Sequence, residues 1–466
     1  MKRQKAVLGA GQRAMAMPAI GSLGKRRLEY NNGCSSVAGG VTGNETRLNP
    51  CLSWTKGLLT NHLYYNAKGD VMRHIKLVGF LVCLWASAMF AQDLSNIQIH
   101  GFVTQGFLYS SSNNYLSTNS SSGSLNWTDG VVSISDPVSD KLRVGVQMHM
   151  YQLGDFGGPN LQVDWASADY RANDKARFSV GKVKTVFGLF NDTQDVDAVH
   201  LWALLPQGVY PIDNKSFDLA HYGADFYGEL PLGKQVGTLS YRAYAGYRTL
   251  DLQSGYVKTL DLMMPWLDQS LGLPSAVVTN APGGKVFGGD ARWQTPLKGL
   301  LIGASVTAED LQGSAGEVTI HAARNLANQQ YAKFERGRFL VVYERKRMPI
   351  GLSFTGNTVM GPITIPDPVD YRSWYVMTSY RVAERFQLGT YYGHLVDAGG
   401  GESTTVSRDY SKDWTISGRY DFNAHFYAKL EEHFLHGTDI GYYSDSNPNG
   451  LEPRSNILAA RIGVTF

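Results

Sequence analysis

The sequence predicts an all-β fold, a transmembrane antiparallel β-barrel of about 16 strands, with 18 as the alternative count. Three observations predict it. Apolar and polar residues alternate with period 2 again and again after Gln92. The alternating segments run about 10 to 13 residues, the length of a tilted membrane strand, whereas strands of water-soluble proteins centre on about 5 to 6. The links between the segments alternate between short and long, as they do when turns on one side of a membrane are tight and loops on the other are extended.

Composition agrees. The chain has 466 residues, of which 18% are charged, with 26 Tyr, 19 Phe and 51 Gly. So many aromatics exclude disorder for most of the chain. Charge is unevenly placed. Residues 1–91 carry 12 Lys/Arg against 3 Asp/Glu, and residues 92–466 carry 31 against 37. The basic excess therefore belongs to the front segment, and no nucleic-acid partner is expected for the main body. Cys34, Cys51 and Cys83 all precede residue 92, so the remainder holds neither a disulfide scaffold nor a Cys-ligated metal.

The front segment contains an export signal. From Met72 the chain reads Arg73 and Lys76, then an uncharged apolar run from Leu77 to Phe90, then Ala91-Gln-Asp. Positive, apolar and small-residue regions in that order make a secretory signal peptide, here 72–91. The apolar run is too short for a membrane helix, which needs about 20 residues. A signal belongs at an N-terminus, so residues 1–71 read as a non-native upstream extension or a disordered segment, and the barrel domain as 92–466.

The strands follow in order: 97–109, 126–135, 140–152, 160–171, 175–187, 221–230, 238–248, 286–296, 300–309, 336–346, 350–358, 371–382, 385–396, 412–422, 424–436 and 455–466. In 140–152, Leu142, Val144, Val146, Met148 and Met150 share one face, opposite Arg143, Gln147 and His149. Links after even-numbered strands are tight: Asp136-Pro-Val-Ser, Ala172-Asn-Asp, Pro231-Leu-Gly-Lys, Leu297-Lys-Gly, Arg347-Met-Pro, Ala383-Glu and Asn423. Links after odd-numbered strands are mostly long, notably 188–220, 249–285, 310–335 and 437–454. Glu317–Ala323 could add a short strand within 310–335. The sheet must close, because lipid offers its edges no hydrogen bonds. At this strand number the lumen is too wide for side chains to fill.

The chain resembles the trimeric porins of Gram-negative outer membranes, of the general-diffusion or phosphate-selective kind. Ile97-Gln-Ile-His-Gly-Phe102 is similar to a porin first strand. Asp140-Lys-Leu-Arg-Val-Gly-Val-Gln147 and Gly181-Lys-Val-Lys-Thr-Val-Phe-Gly-Leu189 are similar to the third and fifth. The terminal Phe466 resembles the signature read by the barrel-insertion machinery. The resemblance covers about 92–466. It implies an outer-membrane location, a homotrimer and a water-filled channel for small hydrophilic solutes or ions. It also implies that the third long link folds inward as a constriction loop, which would carry Asp192, Asp195, Asp197, Asp213 and Asp218 against Lys215.

If apolar faces meet lipid, polar faces line the pore. The basic wall is then Lys141, Arg143, Arg242, Arg248, Arg292, Arg381, Arg385, Arg419, Lys429 and Arg461, with Asp164, Asp290, Asp421 and Glu431 as its acids. Basic wall and acidic loop would set up a field across the lumen. Lys182 and Lys184 share the parity of Phe178 and Val180, which points them at lipid; a bulge at Gly181 is expected to turn both inward. Tyr109, Trp127, Trp165, Phe187, Trp293, Trp374 and Trp414 are expected to form interfacial girdles. No catalytic residue, cofactor or metal site is expected. Glu431-Glu-His433-Phe-Leu-His436 looks like a metal motif, but a strand sends His433 and His436 to opposite faces. A plugged, substrate-specific barrel and a barrel enzyme of lipase or protease type are the alternative functions.

Overall fold

The computed structural model of the chain describes residues 96–399 and 406–466. The extension over 1–71, the signal peptide over 72–91 and the cysteines lie outside the described residues. Seventeen strands form one antiparallel sheet. They are β1 (Gln98–Ser110), β2 (Trp127–Asp136), β3 (Leu142–Leu153), β4 (Phe156–Asn173), β5 (Ala176–Lys184), β6 (Ala220–Pro231), β7 (Thr238–Thr249), β8 (Val278–Gln294), β9 (Leu300–Ala315), β10 (Val318–Arg336), β11 (Phe339–Thr358), β12 (Gly361–Pro366), β13 (Val369–Ala383), β14 (Phe386–Asp397), β15 (Tyr410–Asp421), β16 (Phe426–Gly437) and β17 (Arg454–Thr465). β1 pairs with both β2 and β17, the latter from Phe102↔Thr465 to Ser110↔Ile457, so the sheet closes on itself. β12 pairs only with one end of β11, while the other end of β11 pairs with β13. The wall is therefore a closed ring of 16 strands with β12 as a short flap.

Two expectations about the strands need correction, and they offset each other. The expected turn at Arg347-Met-Pro is the middle of β11, which runs unbroken for 20 residues. The expected long link 310–335 is mostly β10. Pro349 sits inside a strand because β10 bulges beside it: Arg324 pairs with Ile350 but Asn328 pairs with Arg347. The ladder is already interrupted where the proline lacks its donor. One strand was split and one unseen, so the count of 16 stands.

Side chains alternate as a barrel in lipid requires. Val103, Val144, Val180, Phe226, Val306, Ile416, Ile462 and Val464 are exposed on the outer face, while Thr104, Asp129, Gln147, His149, Ser305, Glu344, Thr415 and Arg461 are buried on the inner one. The aromatic set divides. Tyr109, Trp293 and Trp414 lie exposed on the outside. Trp374 is beside the outer Tyr392. Trp127 and Phe187 are buried inside, and Trp165 packs on Gly145 within the lumen. These last three belong to no girdle; their positions on the strands have inward parity or pack under the inner loop.

Within the long link expected over 249–285 lies a helix, α1 (Gly255–Leu271). Ser254 caps its start by accepting from the Val257 amide, and Gly272 ends it in a left-handed conformation at φ 67°. Its buried residues Val257, Leu260, Met264, Leu267 and Leu271 recur at alternating spacings of three and four, a single apolar stripe. That stripe packs on Leu311, Val318, Ile320 and Phe354 of the inner wall.

Candidate functional site: the loop across the lumen

The segment between β5 and β6, residues 185–219, lies inside the barrel. It enters at Gly188, whose φ of 88° favours glycine. A Cβ there would come within 2.1 Å of Gln329 and 2.7 Å of Glu344. The Gly188 amide donates to Ser305 of β9 at 2.8 Å. Glu344 of β11 then accepts from the Leu189 amide at 2.8 Å and from the hydroxyls of Tyr210 and Tyr375 at 2.7 Å each. Four strands further round the ring Glu431 of β16 accepts from the amides of Ala203 and Leu204 at 3.0 Å each. Two buried carboxylates at separate places on the wall thus receive the loop's free backbone donors, groups that would otherwise be costly to bury.

Charge fixes the rest. Arg461 Nη1 donates to Asp197 Oδ1 at 2.6 Å, and Lys429 Nζ lies 2.9 Å from the same oxygen. Burial alone would raise Asp197, but Arg461 and then Lys429 hold its carboxyl below the ordinary range. Lys184 grips Asp195 at 2.7 Å. Lys215 of the loop reaches Asp129 of β2 at 3.2 Å and stacks over Tyr151. Asp218 lies 3.5 Å from Arg324 and 3.8 Å from Arg248. Burial would raise it too; Arg324, Lys346 and Arg248 lower it instead. Arg292 donates to the Gly188 carbonyl at 3.1 Å and lies 4.0 Å from Asp192. Arg419 donates to the carbonyls of Ala198 and His200 at 2.5 and 2.9 Å. Asp213 is the exception among the loop acids. It takes a hydrogen bond from the Tyr443 hydroxyl and no cation, and burial raises its pKa. Burial also pushes His200 down to about 4.

The basic and acidic residues singled out in the sequence therefore meet, but as contact pairs. Arg248, Arg292, Arg419, Lys429, Arg461 and Lys184 touch the loop. Arg242 pairs instead with Asp225 at 3.1 Å and stacks on Tyr227. Arg143 and Arg381 are exposed near the short-link end, where Arg143 bonds Gln98 and Ser135 and Arg381 bonds the Glu384 carbonyl. Lys141 and Arg385 are exposed turn residues at that rim and not part of the wall. Lys182 corrects the expected bulge. No register shift occurs at Gly181, where Ser167 pairs with Gly181 and Ala166 with Lys182. Lys182 stays on the outer face, over the exposed Tyr222 ring, with its ammonium donating to the Val163 carbonyl at 2.5 Å. Among the acids, Asp164 takes a bond from Gln147 and meets His149, and Asp290 and Asp421 pair with Arg292 and Arg419. His433 is enclosed by Asp413 at 2.9 Å and Glu431 at 2.8 Å, while His436 on the other face meets Tyr410.

The sequence does not single out Glu344, Asp129, Tyr375 or Tyr391, and it places Gln147 and His149 on the polar face of 140–152 without a role. Each is a polar group at an inward strand position. Parity alone marks them as lumenal and says nothing of the loop they meet. Two polar gaps beside the loop measure about 20 and 30 Å3, room for about one water each.

A closed 16-strand antiparallel ring with an apolar outside, tight links on one rim and a long third link folded inward has the fold of the outer-membrane porins. One solved structure supports the fold. Salmonella typhi OmpF, solved in complex with daunomycin, aligns with a TM-score of 0.52 over 79% of this chain and 97% of its own, at 12% identity. An anion-selective porin from Comamonas acidovorans aligns at 0.49 over 79% and 98%, with 10% identity. The outer membrane channel DcaP of Acinetobacter baumannii aligns at 0.46 over 80% and 99%, with 11% identity. No protein-family model matches the sequence, and no curated protein does.

Proposed function

We propose that the chain is an outer-membrane channel for small hydrophilic solutes, exported by its signal peptide, inserted through its Phe466 strand and assembled as a homotrimer. In this reading it is not an enzyme; the buried His433, Asp413 and Glu431 serve the loop and the wall. The observation that carries the reading is the loop 185–219 held inside a closed ring whose outer face is apolar. Sixteen strands enclose more space than side chains fill, and the loop is what occupies that space.

The same loop favours a narrow channel over a wide one. It bonds to strands on opposite walls, and its acids other than Asp213 are spent on contact pairs, so they do not face the wall across open water. The test is single-channel current from the folded barrel in a planar bilayer under a salt gradient. Discrete ohmic steps are expected, in groups of three for a trimer. A folded barrel that gives no steps would overturn the channel.

A further inference from the structure

On the long-link side of the loop lies a cavity of about 490 Å3. Small-molecule sites typically occupy about 300 to 1,000 Å3. Much of its lining is apolar: Leu260 and Met263 of α1, Leu311 of β9, and Met348, Ile350 and Leu352 of β11. Three cations line it, and each is already engaged. Arg324 meets Glu309 at 3.2 Å, Lys346 donates to the Val209 carbonyl at 2.9 Å, and Arg408 lies 3.7 Å from Asp409.

The segment after β16 behaves differently. Thr438 is 4% exposed, and among the described residues its hydroxyl has no partner. Neither does Oδ2 of Asp439. Both residues line the cavity. The charges that reach Asp439 are those of Asp397 and Asp409, both acidic. Burial, reinforced by those two, pushes its carboxyl up to about 8. A buried polar group without a partner costs free energy that a ligand can return. Here two such groups, on adjacent residues, stand at the edge of an apolar space, and the one that ionises is an acid.

We propose that this cavity binds an amphipathic organic cation, its ammonium group on Asp439 and Thr438 and its apolar body against α1 and β11. The proposal deepens the channel reading by naming the class of solute its outer chamber selects.

The test reads binding and not current. The barrel is placed in nanodiscs, and hexylammonium, hexanol and hexanoate are titrated calorimetrically, with uptake by empty nanodiscs subtracted. Hexylammonium is expected to bind at least about tenfold more tightly than either of the others. Asp439→Asn is expected to bring hexylammonium to the level of hexanol while hexanol binding stays unchanged, which also shows that the variant is folded. Met263→Trp, which fills the cavity, is expected to weaken hexylammonium and hexanol alike. Hexanoate binding as tightly as hexylammonium, or an unchanged preference in Asp439→Asn, would overturn the proposal. So would a conducting wild-type barrel that binds none of the three. A barrel that binds hexylammonium but never conducts would sustain this site and refute the channel.

Discussion

The loop level and the cavity above it use the same side-chain types in opposite ways. Across the lumen, Asp195, Asp197 and Asp218 each have a cation within 4.0 Å, and Glu344 and Glu431 are filled by donors from the loop. A few residues away, Thr438 and Asp439 leave a hydroxyl and a carboxylate oxygen unbonded among the described residues. Satisfied polar networks fix one geometry and resist change. Unsatisfied groups do the reverse, holding free energy that a bound molecule can recover. The loop therefore reads as architecture and the cavity as recognition.

Breaking the architectural side should give the largest effect. Asp197→Ala strands Lys429 and Arg461 in the lumen without their shared acid. Removing one partner of a buried ion pair costs about 3–5 kcal/mol. The loop is expected to detach, seen as faster tryptic cleavage within 185–219 and a lower midpoint of urea unfolding. Glu344→Ala should follow at about 1–3 kcal/mol, since it orphans the Leu189 amide and the hydroxyls of Tyr210 and Tyr375. Its protease sensitivity should begin at the Gly188 end of the loop, which would separate it from Asp197→Ala.

A third change touches neither region. Lys182→Leu removes a charge from the lipid-facing surface and should raise the unfolding free energy read by urea titration by up to about 2 kcal/mol. That is less than the 2–4 kcal/mol of a midplane lysine, because its ammonium already has the Val163 carbonyl. A pH dependence sharpens the recognition side. Asp439 has a folded pKa raised to about 8, above an unfolded value near 3.9. Its contribution to stability is therefore complete below about pH 4 and lost as pH rises through 8. Hydrogen exchange of 438–443, corrected for its intrinsic pH dependence, should speed up across that window, and Asp439→Asn should remove the trend.

How much of this was legible in the sequence depends on the range of the interaction. Alternation within one strand is a local signal, so the ring and the two faces of 140–152 and 455–466 could be read directly. β10 and β11 were misread because Pro349 looks like a turn when its neighbour's bulge is unseen. Helix α1 did carry a legible signal, Ser254 before an apolar stripe that ends at Gly272, hidden by treating the whole link as loop. The contact pairs were not legible. Arg461 and Asp197 are far apart in sequence, and parity gives only the face of each. Lys182 shows the same limit: a bulge was inferred from the cost of a charge in lipid, whereas the backbone keeps its register and the ammonium takes a carbonyl instead.

The most direct test compares single-channel current through the wild-type barrel and through Asp197→Ala in the same bilayer. If the paired loop is the constriction, the wild type gives small, steady ohmic steps and the variant gives larger ones. Equal steps from two folded barrels would contradict the account, because the solute path would then run clear of the loop.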